Sequence, residues 1–150
     1  MTEDPTEMGY NLVTGAAAGV PELVTDALAH GADIHFENDL ALRTASLMGH
    51  FEIARHLVDK GANIHAAGEE ALLYAAKADD RRMVEFLLAK GASIDDMKKA
   101  HPREIDRALL ETLDGFESQK RREAFNDNFA RVQRPASPDK FRLRKNSPKP

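Results

Sequence analysis

The stretch GADIH at Gly31–His35 returns as GANIH at Gly61–His65 and as GASID at Gly91–Asp95. Each copy starts thirty residues after the one before it. Self-similarity at a fixed period of roughly 20–50 residues is the sequence signature of a protein built from stacked, repeated units. The phrase therefore predicts a repeat architecture, in which each copy marks the junction between one unit and the next.

Each repeated unit has the pattern of two short helices. In the middle unit, DLALRTASLMG at 39–49 has apolar and small residues at helical spacing, and Asp39 is a candidate N-cap. HFEIARHLVDKG at 50–61 carries a second apolar stripe and ends on a glycine, which suits a left-handed cap. The stretch at 69–91 repeats this pattern, and the stretch at 10–31 repeats it more loosely. A helix of about ten residues cannot bury its apolar stripe alone, so the pairs are predicted to stack into a continuous core.

The composition excludes several kinds of site. Of the 150 residues, 42% are hydrophobic and none is cysteine, so no disulfide, thiolate nucleophile or cysteine-based zinc site can form. No apolar run approaches the roughly 18 residues that a transmembrane helix needs. The acidic start, MTEDPTEMGY, lacks the basic and apolar regions of a secretory signal. These features predict a cytoplasmic protein that does not contact a membrane.

The charge of the chain is divided unevenly along its length. Residues 1–116 carry 11 Lys and Arg against 21 Asp and Glu, a formal charge of −10, whereas residues 117–150 carry 10 against 4, a formal charge of +6. Charge and apolar spacing together predict four regions. They are a disordered start at 1–7, a repeat domain at 8–116 with three units and a degenerate cap, an amphipathic helix at 117–133, and a basic, proline-rich tail at 134–150.

The repeated units resemble a known family. ALRTASLMGHFEIARHLVDKGANIH at 41–65, and less fully ALLYAAKADDRRMVEFLLAKGASID at 71–95, resemble the ankyrin repeat, and the agreement covers about three units between residues 8 and 95. The resemblance implies an all-α helical repeat solenoid, and the residues after Asp95 add a C-terminal capping helix and an extended tail. The period of thirty is shorter than the family's roughly 33 residues. By alignment the missing residues fall in the turn at 65–69, so the protruding fingers of the family should be short. Units of this length are similar to those of bacterial, phage and giant-virus ankyrin proteins.

Histidines at equivalent positions raise the question of a metal site. Equivalent residues in stacked helix pairs lie about 8–10 Å apart. Two nitrogen ligands that each lie about 2 Å from one zinc ion are within about 3–4 Å of each other. His35 and His65 are therefore predicted to be structural turn residues. No nucleophile-and-base pattern, phosphate-binding loop or metalloprotease motif occurs in the sequence, so a protein without catalytic residues, metal or cofactor is predicted.

The first set of candidate partner-binding residues follows from the resemblance. In the ankyrin family, partners dock on the concave face formed by the finger tips and by exposed positions on the first helix of each pair. In this sequence, that face consists of Phe36, Glu37, Asp39, Arg43, Leu47, Met48, Glu69, Tyr74 and Lys77. Phe36, Leu47 and Met48 are the expected apolar anchors. The alternative, that Leu47 and Met48 pack against the neighbouring unit, stays open.

A second set of candidate contact residues lies near the C-terminus. The residues are Phe125 and Phe129, on one stripe of the predicted helix with Val132, and Phe141, Arg142 and Arg144, in the tail stretch KFRLRK. The helix stripe either folds back on the cap or docks a partner. Basic residues interleaved with an aromatic ring can hold phosphates and stack a base. A solvated tail, a linear motif that docks on a protein, and docking on the acidic body of the same chain are the open alternatives.

The sequence predicts a non-catalytic module that binds another protein, as an adaptor or as an inhibitor of a host or regulatory protein. Two alternatives stay open. One is a nucleic-acid-associated accessory protein that uses the basic tail. The other is a structural subunit that forms a homodimer through its C-terminal helix, so monomer and homodimer are both compatible with the sequence.

Overall fold

The computed structural model of the protein describes residues 4–132, which form eight helices and no strand. The helices are α1 (Pro5–Ala18), α2 (Pro21–Ala29), α3 (Phe36–Met48), α4 (Phe51–Asp59), α5 (Ala66–Lys77), α6 (Arg81–Ala89), α7 (Ile94–Ala100) and α8 (Arg107–Val132). The predicted all-α class is confirmed.

The first helix of each pair forms the continuous part of the stack. α1 packs against α3, α3 against α5, and α5 against α7, whereas α2 and α4 touch only lightly. Leu12, Leu42 and Leu72 occupy the same position of three successive units, and all three are buried. Ala45 and Ala75 are also buried, and their small side chains let neighbouring first helices approach closely. The core therefore runs from unit to unit.

The three copies of the repeated phrase are helix ends. Gly31, Gly61 and Gly91 have φ values of 93°, 105° and 109°, a range that favours glycine because it has no Cβ. The amide of the alanine after each glycine donates to the carbonyl five residues earlier, at 2.9–3.0 Å. This bond satisfies a carbonyl in the last turn of α2, α4 and α6. The phrase ends each helix pair and directs the chain toward the next unit.

A shortened fourth unit follows the three helix pairs. α7 has only seven residues, but it buries Ile94 and Met97. The start of α8 buries Leu109 and Leu113, and Phe116 packs against the same core. The terminal units of repeat arrays are usually atypical, because one of their faces meets water.

Several sequence-based boundaries are corrected by the structure. The described chain divides into two compact units between Phe116 and Glu117, yet the helix predicted at 117–133 is not a separate element, because α8 runs from Arg107 to Val132. The expectation of disorder through residue 7 is wrong for residues 5–7, which form the first turn of α1. Pro5 starts that turn, and Asp4 caps it by accepting the Thr6 amide at 2.9 Å. The tail predicted at 134–150 lies outside the described residues.

Candidate functional site

Left-handed turns precede the regular part of α3 and of α5. Glu37, Asn38 and Asp39 have φ values of 51°, 57° and 57°. The equivalent residues of the next unit, at 67–69, have φ values of 51°, 69° and 65°. A residue with a side chain adopts this conformation at a cost of roughly 1–2 kcal/mol, so other contacts must hold these turns. They form the short connection that the sequence predicts in place of a finger.

Asp39 supplies one of the contacts that hold the turns. Its side chain is buried, and its Oδ1 accepts the backbone amide of Asn63 at 2.7 Å and lies 3.1 Å from Nδ1 of His35. The bond to Asn63 joins the turn of the second unit to the turn of the third. The prediction that Asp39 caps α3 is wrong, because its carboxylate bonds to the next unit. Its burial also corrects the expectation that it faces a partner.

Glu69 occupies the equivalent position one unit later, and it is bonded differently. It is only 2% exposed, so it too is corrected as a partner-facing residue. Its Oε1 is hydrogen-bonded to Nδ1 of His65, whereas Oε2 is buried without a hydrogen-bond partner. Each turn histidine thus pairs with a carboxylate of its own unit. Within residues 4–132, the His, Asp and Glu side chains form no group of three that could hold a metal ion.

The comparison of Asp39 with Glu69 gives a testable prediction. Glu69→Asp shortens the side chain by one methylene and gives position 69 the side chain that Asp39 has in the unit before. By the thirty-residue repeat, the amide equivalent to that of Asn63 is the Ser93 amide, which we expect the new carboxylate to bind. We expect the free energy of unfolding to rise by about 1 kcal/mol, measured by urea denaturation. The reciprocal Asp39→Glu is the matched control and should lower stability. A Glu69→Asp protein less stable than wild type would contradict the prediction.

The first unit has neither carboxylate, because Gly9 stands at the position of Asp39. The Phe36 ring lies over this glycine, and a Cβ added there would be 2.4 Å from the ring. Tyr10 meets Phe36 edge-on, with ring centroids 5.0 Å apart. Phe36 is therefore partly buried against the first unit, and it is not the isolated tip anchor that the sequence predicts.

Two of the predicted partner-binding side chains, Arg43 and Tyr74, are engaged in polar contacts within the repeats. Arg43 is ion-paired to Glu70 and also donates to the Glu37 carbonyl at 3.1 Å. Tyr74 donates to Oε1 of Glu70 at 2.7 Å, and this bond, together with burial, raises the pKa of the Tyr74 hydroxyl. Arg43 and Glu70 are mostly shielded from solvent. Arg43, Glu70 and Tyr74 therefore form a fixed polar group whose charges are paired, which we call the polar border.

Lys77, the last residue of α5, is engaged in a similar polar contact. Its ammonium is hydrogen-bonded to a carboxylate oxygen of Glu104, and this bond lowers the pKa of the exposed Glu104 carboxyl. Glu37 is exposed in the left-handed turn, where its carboxylate is accessible to a partner's cation.

Leu47 and Met48 are the exposed apolar residues of the repeat face. They end α3, and they are 46% and 52% exposed, so the open question of whether they pack into the neighbouring unit is answered in favour of exposure. Leu40 and Thr44 precede Leu47 at helical spacing on the same side of α3, and both are partly exposed. We call Tyr10, Phe36, Leu40, Thr44, Leu47 and Met48 the α3 patch.

Sequence reasoning missed Tyr10, Leu40 and Thr44 as members of the α3 patch. Tyr10 is 54% exposed and shares its repeat position with Leu40 and Glu70. The shift of thirty residues that aligns the units contained this information. It would have identified Tyr10 once the surface-facing positions of the first helices were compared one by one.

The compact unit that begins at Glu117, which we call the C-terminal unit, presents an aromatic stripe. Phe125, Phe129 and Val132 are 69%, 57% and 78% exposed. The two phenylalanine rings are stacked, with centroids 6.3 Å apart. Phe141, Arg142 and Arg144, the predicted contact residues of the tail, lie outside the described residues.

Comparison with known proteins agrees with this geometry. The family model described as ankyrin repeats (3 copies) matches residues 12–98, which contain the second half of α1, all of α2 to α6 and most of α7. A search of curated proteins finds no match to the chain. None of the helices between residues 4 and 132 is long and apolar enough to cross a membrane. Ankyrin repeats are generally non-catalytic modules that bind other proteins, and this chain belongs to the ankyrin repeat family.

Proposed function

We propose that the protein is an adaptor or inhibitor that binds a partner protein through the α3 patch. The observation that carries the proposal is the exposure of Leu47 and Met48 at a position where the neighbouring units have smaller or charged residues. The equivalent pairs are Ala17 with Ala18 and Lys77 with Ala78. Large exposed apolar side chains at a position where the other units have small or charged residues are suited to specific recognition, because they do not follow from the repeat itself.

The surroundings of the α3 patch indicate the chemistry of the partner. Arg43 is ion-paired with Glu70 and Lys77 with Glu104, whereas Glu37 presents an exposed carboxylate next to Phe36 in the chain. A partner with an apolar or aromatic centre and a basic rim is complementary to this arrangement. The polar border would fix the register, while Leu47, Met48 and Tyr10 would supply most of the binding energy.

The proposal predicts that Leu47→Asp/Met48→Asp abolishes most of the partner affinity. A photo-reactive residue at Thr44 first captures the partner from native cells, and the affinity of the purified partner is then measured by calorimetry. We expect a loss of about thirtyfold or more, the effect of removing an interface hot spot. An affinity within about twofold of wild type would contradict the proposal.

The matched control for this experiment is Ala29→Asp/Ala89→Asp. Both alanines are exposed in the last turn of a helix, as Leu47 and Met48 are, but they lie on the second helices of their pairs. The control also introduces two aspartates, each at the C-terminal end of a helix. It therefore reproduces the general effect on stability of a negative charge at that end. It should leave the affinity unchanged.

The two alternative functions have different support. Nucleic-acid binding rests on the basic tail, which lies outside the described residues, and stays a prediction from the sequence. Self-association has a structural observation in its favour, the exposed aromatic stripe of α8.

A further inference from the structure

The acidity of the repeat domain is concentrated in its first unit. Residues 1–35 contain six Asp and Glu and no Lys or Arg, whereas residues 36–116 contain 15 against 11. Most of the formal charge of −10 therefore lies on the segment that forms α1, α2 and the turn after them. An N-terminal end of one sign creates a field that attracts a basic surface over about a Debye length.

The same end of the stack also carries a cleft with both apolar and polar walls. A space of about 370 Å³ opens between α1 and α2, lined by the apolar Met8, Leu23 and Ala27 and by the polar Asn11, Thr14, Asp26 and His30. Met8 and Ala27 form its apolar floor, and Leu23 stands half-exposed at its edge. Terminal units usually present a polar outer face to water. Leu23 is an exposed apolar exception on this face, and it is suited to contact with a covering surface.

The C-terminal unit carries the complementary chemistry. All side chains at 118–132 are exposed, and a helical segment of this length is only marginally stable in water without packing. Arg121 and Arg122 precede Phe125 at helical spacing, so they share its side of the helix and continue the stripe of Phe125, Phe129 and Val132. Residues 117–150 carry a formal charge of +6. The stripe thus combines aromatic rings with adjacent guanidinium groups.

We propose that the C-terminal helix of one chain docks into the α1–α2 cleft of a second copy. Phe125 and Phe129 would cover Met8, Leu23 and Ala27, while Arg121 and Arg122 would meet the carboxylates of Glu22 and Asp26. Pairing of the C-terminal helices of two chains with each other is disfavoured, because residues 117–150 carry a formal charge of +6 in both chains. The contact is head to tail, so it extends into open chains or closes into a ring. It uses no residue of the α3 patch and goes beyond the proposed function.

The experiment measures self-association by sedimentation velocity over about a hundredfold range of concentration, at low and at high salt. Wild type should associate with increasing concentration and less strongly in high salt. Leu23→Asp, which alters only the cleft, and Phe125→Asp/Phe129→Asp, which alters only the stripe, should each weaken association by about thirtyfold or more. Leu47→Asp/Met48→Asp should associate as wild type does.

Mixing the two defective chains separates a head-to-tail contact from a symmetric one. The Leu23→Asp chain keeps its stripe and the Phe125→Asp/Phe129→Asp chain keeps its cleft, so the mixture should form heterodimers and nothing larger. Glu22→Lys provides a second cleft variant if Leu23→Asp fails to fold, as judged by circular dichroism. Wild type that is monomeric at every concentration would overturn the proposal. So would association that depends on Phe125 and Phe129 but not on Leu23 or Glu22, which is the signature of paired C-terminal helices.

Discussion

Replacing Asp39 by alanine is expected to lower the free energy of unfolding by about 2–3 kcal/mol, which corresponds to a fall in Tm on the order of 10 °C. The buried carboxylate accepts the Asn63 amide at 2.7 Å and pairs with His35. Its removal leaves that amide without its acceptor between two units, and it frees a left-handed turn that is costly to form. The effect is large because one side chain holds two turns at once.

Urea denaturation followed by circular dichroism measures the effect of Asp39→Ala. Asp33→Ala is the matched control, because Asp33 is also a turn carboxylate but is exposed, and it accepts only the His35 amide of its own turn. We expect the control to cost about 0.5–1 kcal/mol. An Asp39→Ala protein no less stable than the Asp33→Ala protein would show that the link between the units does not stabilise the fold.

Leu113→Ala is expected to lower the free energy of unfolding by about 3 kcal/mol, as for other fully buried leucines. Leu113 is completely buried and, with Leu109, closes the core at its C-terminal end. Arg81 lies over the nearby Phe116 ring, 5.8 Å from its centroid. The large expected cost distinguishes a fourth unit that belongs to the core from a helix that merely follows the repeats.

Thermal and urea denaturation of three proteins test this role of α8. Phe125→Ala is the matched control within the same helix, because Phe125 is exposed, and it should change stability by less than about 0.5 kcal/mol when measured on dilute protein. A chain that ends at Glu117 should also keep nearly all of its stability. A loss for Leu113→Ala no greater than that for Phe125→Ala would contradict the assignment of a fourth unit.

The helix pairs were predictable from sequence because they depend on local signals that recur. The glycine at the end of each second helix and the leucine at the centre of each first helix return every thirty residues, so three copies support one interpretation. The starts of α3 and α5 were not predictable. Glu37, Asn38 and Asp39 adopt left-handed backbone without a glycine among them, and the contact that stabilises this conformation comes from Asn63, far along the chain.

The candidate site was predictable only in part, for the same reason. Leu47 and Met48 are exposed because of their own position at the end of α3, and comparison of the units identifies them. Phe36 depends on a distant residue, since it packs where Gly9 leaves space. Asp39 and Glu69 are polar and follow the tip of a turn, which favours exposure, yet their carboxylates bond inward. Contacts between units decide these cases, and one unit's sequence does not contain them.

The position shared by Gly9, Asp39 and Glu69 makes the joints between the units unequal. At the first joint an aromatic ring fills the space above a glycine; at the second, a carboxylate holds an amide of the next unit; at the third, a carboxylate oxygen is buried without a partner. A stacked array opens first where its nearest-neighbour coupling is weakest. Fluctuations of the repeat domain should therefore begin at the fourth unit and move toward the N-terminus. The units that carry the α3 patch would stay closed longest.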